Sequence, residues 1–460
     1  MKKIHYIILF IFLINVPIIY AQQELGLNLN KNVWQSNHTN PAFMSDLNVV
    51  IALPNFYTET AVKGLKYGDI ITRNEKGSTI NVNDLLTKLP AQNTIINQQQ
   101  IDLFNVGFRV KKAFISLGMA SKSNFYLGYP TSLLDLAWNG NSKFIGKTVD
   151  LSLDIEAHLL SEKYLGVAYQ LNDKLAIGLR VKALSSRFGI STERHVLSLY
   201  TDPDVYQLTL KSDYRISASN AGAYAGKGNF SQTDILNGNF GTKNIISGGA
   251  NKGFSLDLGA TYKVSEKLEL AASVVDLGGR VNWKNNVINL SNKGESTFKG
   301  FDFGVILRGD TTTYQKVMDS LAQKFDFATT NENFVSKLPL KTYLSATYKL
   351  NRKLQLGALF FTENYKQKTQ AAFALNATTF ISGWLNLGAS WAYRQGSAAN
   401  IGINAVAKLG PIQLFAITDN ILPIVRLDKS ALNVNGRIGM NIIFGKQKAT
   451  PSPNVSSPVK

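Results

Sequence analysis

The stretch L-N-V-N-G-R-I-G-M-N-I-I-F, Leu432 to Phe444, decides the fold. Leu432, Val434, Ile438, Met440, Ile442 and Phe444 fall on one face; Asn433, Asn435, Arg437, Gly439 and Asn441 fall on the other. A strand sends successive side chains to opposite faces, so this one has an oily wall and a wet wall. It exceeds a usual globular strand and reaches the roughly 9–11 residues that cross a bilayer at a tilt. A half-buried strand of a soluble sheet has the same alternation. Two features argue against that reading: the pattern recurs along most of the chain, and the chain begins with an export signal.

That beginning is Lys2 and Lys3, an apolar run from Ile4 to Tyr20, then Ala21 before two glutamines. A charged region, an apolar region and a small residue at the cut describe a signal peptide over residues 1–21. Asn15 and Pro17 interrupt the run, which is short for a spanning anchor. Beyond it no run approaches the ~20 apolar residues of a membrane helix, so a chain integral to a membrane must satisfy its backbone between strands, as a barrel. Mean hydropathy near zero (-0.04) agrees, because alternation averages out. The 36 glycines and 25 phenylalanines suit bends and interfacial girdles. The absence of cysteine excludes lipoprotein attachment, disulfides and thiolate metal sites.

Working inward, three hairpins share one turn pattern. They are Tyr164–Leu171 with Leu175–Ser185, Phe254–Val264 with Leu268–Asp276, and Tyr343–Leu350 with Leu354–Thr362. Their connectors, Asn172-Asp173-Lys174, Ser265-Glu266-Lys267 and Asn351-Arg352-Lys353, each run polar, polar or charged, lysine. Leu256, Leu258 and Tyr262 are expected to face lipid, and Asp257, Lys263, Arg180 and Lys182 the lumen. Further strands are expected at Leu47–Pro54, Asp102–Val110, Ala113–Ser121, Val149–His158, Trp384–Tyr393, Ile401–Lys408 and Ile412–Thr418. Val205–Ser217 and Phe298–Ile306 carry weaker alternation. The reading is an all-β chain: one transmembrane antiparallel barrel of roughly 14–16 strands over residues 47–445. Short loop helices are expected at Thr131–Trp138 and Tyr314–Phe325. Phe56–Gln100, Asn220–Lys252, Arg308–Lys337 and Asn420–Ser430 read as the longer connections, and residues 446–460, rich in proline and serine, as a disordered tail.

Formal net charge is +18, or +16 without Lys2 and Lys3. No basic run or nucleic-acid motif accompanies it and export opposes it, so no nucleic-acid partner is expected. Attraction to phosphate-rich head groups together with a cationic lumen would account for it. An enzyme would need a nucleophile and a base. Beyond residue 21 the histidines are His38, His158 and His195; His158 shares a face with Asp154 and Glu156 but has no serine motif beside it. Asp202-Pro203-Asp204 could ligate calcium but is more simply a turn. No catalytic residue, metal or cofactor is expected.

Before the first strand stands Q-S-N-H-T-N-P-A-F, Gln35 to Phe43. Its Asn40-Pro41-Ala42 resembles the N-terminal region of FadL-like barrels and of type IX secretion PorP/SprF-like membrane proteins. Y-P-T-S-L-L-D-L at the first helix, S-V-V-D-L-G-G (Ser273–Gly279), G-P-I-Q-L-F-A-I-T-D-N-I-L (Gly410–Leu422) and R-I-G-M-N-I-I-F-G (Arg437–Gly445) resemble an uncharacterised Bacteroidota family of outer-membrane barrels. That resemblance implies fold and outer-membrane location, and brings no substrate or catalytic residue. In FadL-like barrels the segment before strand one folds into the lumen, which makes residues 22–46 a candidate plug shaped by Asn40, Pro41 and Ala42; alternatively these three form the turn into strand one. Phe444 resembles the terminal aromatic of a barrel-assembly signal. The expected partners are outer-membrane lipids, the barrel-assembly machinery and, on one reading, a secretion or surface protein. Two functions remain open: a channel or transporter for small or hydrophobic molecules, and a structural or accessory barrel of a secretion, motility or surface-assembly machine.

Overall fold

In the computed structural model the described residues are 24–66, 69, 72–74, 77–79, 81–220, 248–298, 328–366, 368–394, 397–425 and 431–446. The signal peptide, the helix expected at Tyr314–Phe325 and the tail beyond Lys446 lie outside them, as does all but the first residue of the strand expected at Phe298–Ile306.

A closed antiparallel barrel of 14 strands forms the wall. In chain order these are β1 (Leu47–Ala52, continued by Asn55–Lys66), β2 (Gln92–Val110), β3 (Ala113–Pro130), β4 (Asp154–Gln170), β5 (Leu175–Thr201), β6 (Asn251–Lys263) and β7 (Leu268–Trp283). They continue as β8 (Leu340–Lys349), β9 (Leu354–Tyr365), β10 (Lys368–Phe380), β11 (Leu385–Arg394), β12 (Ser397–Leu409), β13 (Ile412–Thr418) and β14 (Ala431–Lys446). Closure pairs β1 with β14, Val49 opposite Phe444 and Ile51 opposite Ile442. An open edge in lipid would leave unsatisfied backbone groups, and this seam removes it. Pro54, which has no N–H, falls at the interruption of β1.

Leu165, Val167, Tyr169, Ile177, Leu179, Val181, Leu258 and Tyr262 are exposed, while Arg180, Lys182 and Asp257 are 2% exposed or less. A soluble sheet would bury the first set; a membrane barrel turns it to lipid. Two assignments change. Val434, expected on the lipid face, is buried where the short helix Leu422–Val425 lies against β14. Lys263 continues a lumen-facing row but is exposed, because it stands at the rim.

The number of strands survives errors that cancel. Residues 154–158 of the strand expected at Val149–His158 and all but the last residue of Tyr164–Leu171 belong to one 17-residue strand, β4, while β10 is a strand that the sequence pattern does not mark. Phe56–Gln100 is not one connection, since β1 and β2 extend into it. The strand Leu208–Ser219, near the weak expectation at Val205–Ser217, pairs with the top of β5 and with Val287–Phe298, an unanticipated strand. These form a sheet beyond the wall. The helix after Pro130 runs Thr131–Asn139. The connections β2–β3, β4–β5, β6–β7, β8–β9, β10–β11 and β12–β13 are all tight and lie at one end of the barrel. Every long connection, including described residues 328–337, lies at the other, beside the two-residue connections β9–β10 and β11–β12.

Candidate functional site

Residues 24–43 lie inside the barrel, and residues 44–46 lead out to β1. Leu25–Leu29 form a short helix whose five residues are all buried. With no earlier turn to accept from, the N–H groups of Leu25 and Gly26 donate to the carboxylate of Asp419, at 2.9 and 2.6 Å. A carboxylate at a helix start satisfies orphan donors there. Asn30 donates to Asn404 at 3.0 Å, Lys31 pairs with Glu269, and the Asn32 carbonyl accepts from Gln413 at 3.0 Å. The chain then turns back through a 3-10 helix, Trp34–His38. Trp34 donates to Asn105, Gln35 and Asn441 exchange two amide bonds, and Arg180 donates to Asn37. Asp102 accepts from Arg437 and contacts His38, each at 3.0 Å, while Arg437 also pairs with Glu24.

The apolar residues of the segment are equally well matched. Leu25 and Leu29 pack with Tyr343, Leu359 and Phe361; Leu27 and Val33 with Val406, Phe415 and Ile417; Trp34 with Phe114 and Ala168.

Asn40, Pro41 and Ala42 meet the wall at a pair of glycines. Gly178 on β5 and Gly259 on β6 are directly opposite one another. A Cβ at Gly178 would stand 2.3 Å from Ala42 N, and one at Gly259 2.0 Å from Asn40 Oδ1. Both distances are below van der Waals contact, so only glycine at both positions opens the recess that the Asn-Pro-Ala backbone occupies. Asn40 Nδ2 donates to the Ala260 and Ala272 carbonyls at 3.3 and 3.2 Å, and its Oδ1 accepts from the Ala42 N–H at 2.8 Å. The turn and the lumen location are thus two aspects of one geometry.

A second cluster surrounds a bulge in β7. One extra residue on β7 separates the pairs Leu256 with Leu277 and Leu258 with Val274, and Asp276 takes φ 61°. Its N–H donates to Asp257 at 2.9 Å, and Lys182 reaches Asp257 and Asp276 at 2.7 and 2.8 Å. Arg180 lies 3.5 Å from Asp257, and Lys122 pairs with Glu162 at 2.6 Å. Buried charges persist only when paired, and these are.

The cationic lumen does not stand. Among the described residues eight carboxylates are buried, against three basic side chains, Arg180, Lys182 and Arg437. His158 is buried with its Nε2 2.9 Å from Asn124, while Ser191 donates to Glu156 rather than to it. Asp202 accepts from the N–H groups of Asp204 and Val205 at 2.8 and 3.0 Å, the geometry of a turn cap. Phe444 is 49% exposed on the outer surface at the seam. Sequence reading missed Asp419, Asp102, Gly178 and Gly259; the first lies in the quoted T-D-N phrase, and the glycines carry no signal without the register.

The architecture defines a β-barrel of the outer-membrane type with an occupied lumen. More narrowly, the chain belongs to DUF5723, a family of unknown function, whose model matches residues 41–419. No curated protein matches the sequence. Among solved structures it is similar to the Ralstonia pickettii toluene transporter TbuX, at 12% identity over 90% of this chain and 94% of that one, TM-score 0.42. A Pseudomonas aeruginosa FadL homologue gives 11% identity, 93% and 99% coverage and TM-score 0.42. The Pseudomonas putida toluene transporter TodX gives 10%, 92% and 97%, and 0.41.

Proposed function

We propose that the protein is an outer-membrane channel for small or hydrophobic molecules, closed by residues 24–46 and opened by their displacement. The observation that carries this reading is how the segment is held. A wall of about 8 strands is filled by its own side chains, and wider walls leave a lumen. Here 14 strands enclose one, and a separate stretch of chain fills it through hydrogen bonds, ion pairs and apolar contacts alone. Water can replace the polar contacts, so the stopper is removable without breaking the wall. No catalytic step enters this reading.

The test is conductance in a planar bilayer. The full chain is expected to be mostly closed, and deletion of residues 24–44 to raise conductance while the heat-modifiable barrel persists on a semi-native gel. A deleted barrel that folds and stays silent defeats the channel reading. Outer-membrane residence is checked by fractionation; recovery of the chain in the soluble periplasm would contradict it.

One observation favours the second reading, a structural or accessory barrel of a secretion, motility or surface-assembly machine. β5 runs 27 residues, far beyond the roughly 9–11 a bilayer requires, and carries Leu208–Ser219 and Val287–Phe298 as a sheet beyond the wall. Such a platform suits a protein partner, and crosslinked co-purification from native membranes, lost on trimming the sheet, would support it.

A further inference from the structure

The recurring turn pattern has a structural counterpart that transport does not explain. In each of the three turns the first polar side chain accepts from the two N–H groups that close the loop. Asn172 Oδ1 accepts from Lys174 and Leu175, both at 2.9 Å; Ser265 Oγ from Lys267 and Leu268 at 3.3 and 3.1 Å; Asn351 Oδ1 from Lys353 and Leu354 at 2.8 and 2.9 Å. Neighbouring hairpins are also bonded to one another. The Lys174 carbonyl accepts from the Lys263 N–H and the Lys267 carbonyl from the Lys349 N–H, each at 2.8 Å, and the Lys112 carbonyl accepts from Gln170 at 3.0 Å. Four consecutive hairpins therefore present a fixed rim.

That rim is basic on one side only. Lys111, Lys112, Lys174, Lys267, Arg352 and Lys353 are exposed at the turns, against Asp173 and Glu266, and no described carboxylate forms an ion pair with any of the six. The next two turns expose Ile381, Trp384 and Leu409 instead. Direction matters as much as number. Lys112, Lys174, Lys267 and Lys353 continue the rows that hold Phe114, Ala176 and Ala271, all buried in the lumen, or alternate with exposed Leu356, whereas Tyr169, Tyr262 and Tyr348 occupy the lipid rows. The cations frame the short-turn mouth of the lumen, beside the Asn30–Asn32 turn of the internal segment.

We infer that this mouth docks an acidic polypeptide. Lipid head groups surround the whole circumference and meet the outward rows, so they account for neither the one-sided arc nor its direction. A small permeating anion would find the acid-rich, occupied lumen immediately above. A preorganised, unpaired array of like charge attracts a multivalent partner of opposite sign. In outer-membrane barrels short turns face the periplasm, which on the outer-membrane reading is the partner's compartment; the binding itself does not depend on conductance.

The experiment uses the full mature chain in phosphatidylcholine nanodiscs, with fluorescent poly-glutamate as probe. Binding should weaken steeply with salt and fall about tenfold or more in the quadruple variant Lys174→Gln, Lys267→Gln, Arg352→Gln, Lys353→Gln. The double variant Lys147→Gln, Lys284→Gln, at the opposite end, should bind as the parent does. Free glutamate at equal carboxylate concentration should not compete. Heat-modifiable migration verifies that each variant is folded. Equal binding by the quadruple variant overturns the inference, as does equal loss in the double variant or full competition by free glutamate. If poly-glutamate fails to bind while, in nanodiscs of mixed phosphatidylcholine and phosphatidylglycerol, the latter is enriched around the parent and not the quadruple variant, the rim is a lipid site and the inference is wrong.

Discussion

The two halves of the wall hold the internal segment by different physics. From β2 to β5 the strands are tall, 19, 18, 17 and 27 residues, and with β6 and β7 their inward face carries Lys122, Glu162, Arg180, Lys182, Asp257 and Asp276, which pair with one another. Arg180, Asp102 and Asn105 bond to the segment. From β8 to β13 the strands are shorter, 7 to 13 residues. There the segment meets Leu359, Phe361, Ala374, Val406 and Phe415, with Asn404 and Gln413 as neutral contacts and the Asp419 carboxylate, directly after β13, at the start of its helix. The first side holds the segment mainly by directional charge and hydrogen bonding, and the second supplies most of the non-directional burial. A segment held in both ways is specified in register by the first half and favoured in free energy by the second.

The largest expected effect lies in the charged half. Lys182→Met leaves Asp257 and Asp276 without their shared cation in a buried site, which should destabilise the barrel by about 3–5 kcal/mol. Asn404→Ala in the apolar half removes one neutral hydrogen bond and leaves Asn30 short of a partner, at about 1–3 kcal/mol. Urea titration of the heat-modifiable species measures both. Equal losses would erase the distinction between the halves.

Next comes the contrast between outer and inner faces. Leu258→Arg should cost about 2–4 kcal/mol if it lies near the bilayer midplane. Thr261→Arg, in the polar inward row, should be milder. Comparable damage at both would contradict the assigned faces.

A somewhat smaller effect is expected at the glycine recess. Gly178→Ala places a methyl against the Pro41–Ala42 backbone, an overpacking of about 1–3 kcal/mol. Because the clash is with the internal segment and not with the wall, the barrel should remain folded while channel openings become more frequent. Unchanged closure with an intact barrel would show that the segment repositions freely and that the recess does not hold it.

How much of this was legible follows from the same two halves. Where a strand has lipid outside and charge inside, as in β5 and β6, period-two alternation gives the faces directly. In β10, K-T-Q-A-A-F-A-L-N-A-T-T-F, inward Ala372 and Ala374 sit between outward Phe373 and Leu375, so both faces are apolar and the period disappears. β9 also carries inward Leu359 and Phe361, and there the Asn351-Arg352-Lys353 turn marks the hairpin although the period is blurred. The cause is the internal segment: its leucines need apolar partners inside, and those partners blur the pattern that reveals a barrel. Asn40, Pro41 and Ala42 were visible as a motif, but Gly178 and Gly259 become a site only when β5 and β6 pair in register.

The smallest equilibrium effect is expected at Phe444, and that makes it informative. The side chain lies at the seam opposite Val49, half exposed on the outer surface near the strand end. A charge there, close to the interface, costs only about 0–1 kcal/mol by the depth dependence of lipid-facing substitutions. The folded stability of Phe444→Asp, once refolded into detergent, should thus nearly match the parent. If Phe444 acts as the terminal aromatic recognised during assembly, the same change should still trap the chain unassembled in cells, whereas deletion of residues 447–460 should not. A kinetic defect without an equilibrium one is the signature of a recognition signal, since mere loss of packing would move both. If Phe444→Asp assembles normally and the tail deletion blocks assembly, the signal lies beyond the last strand.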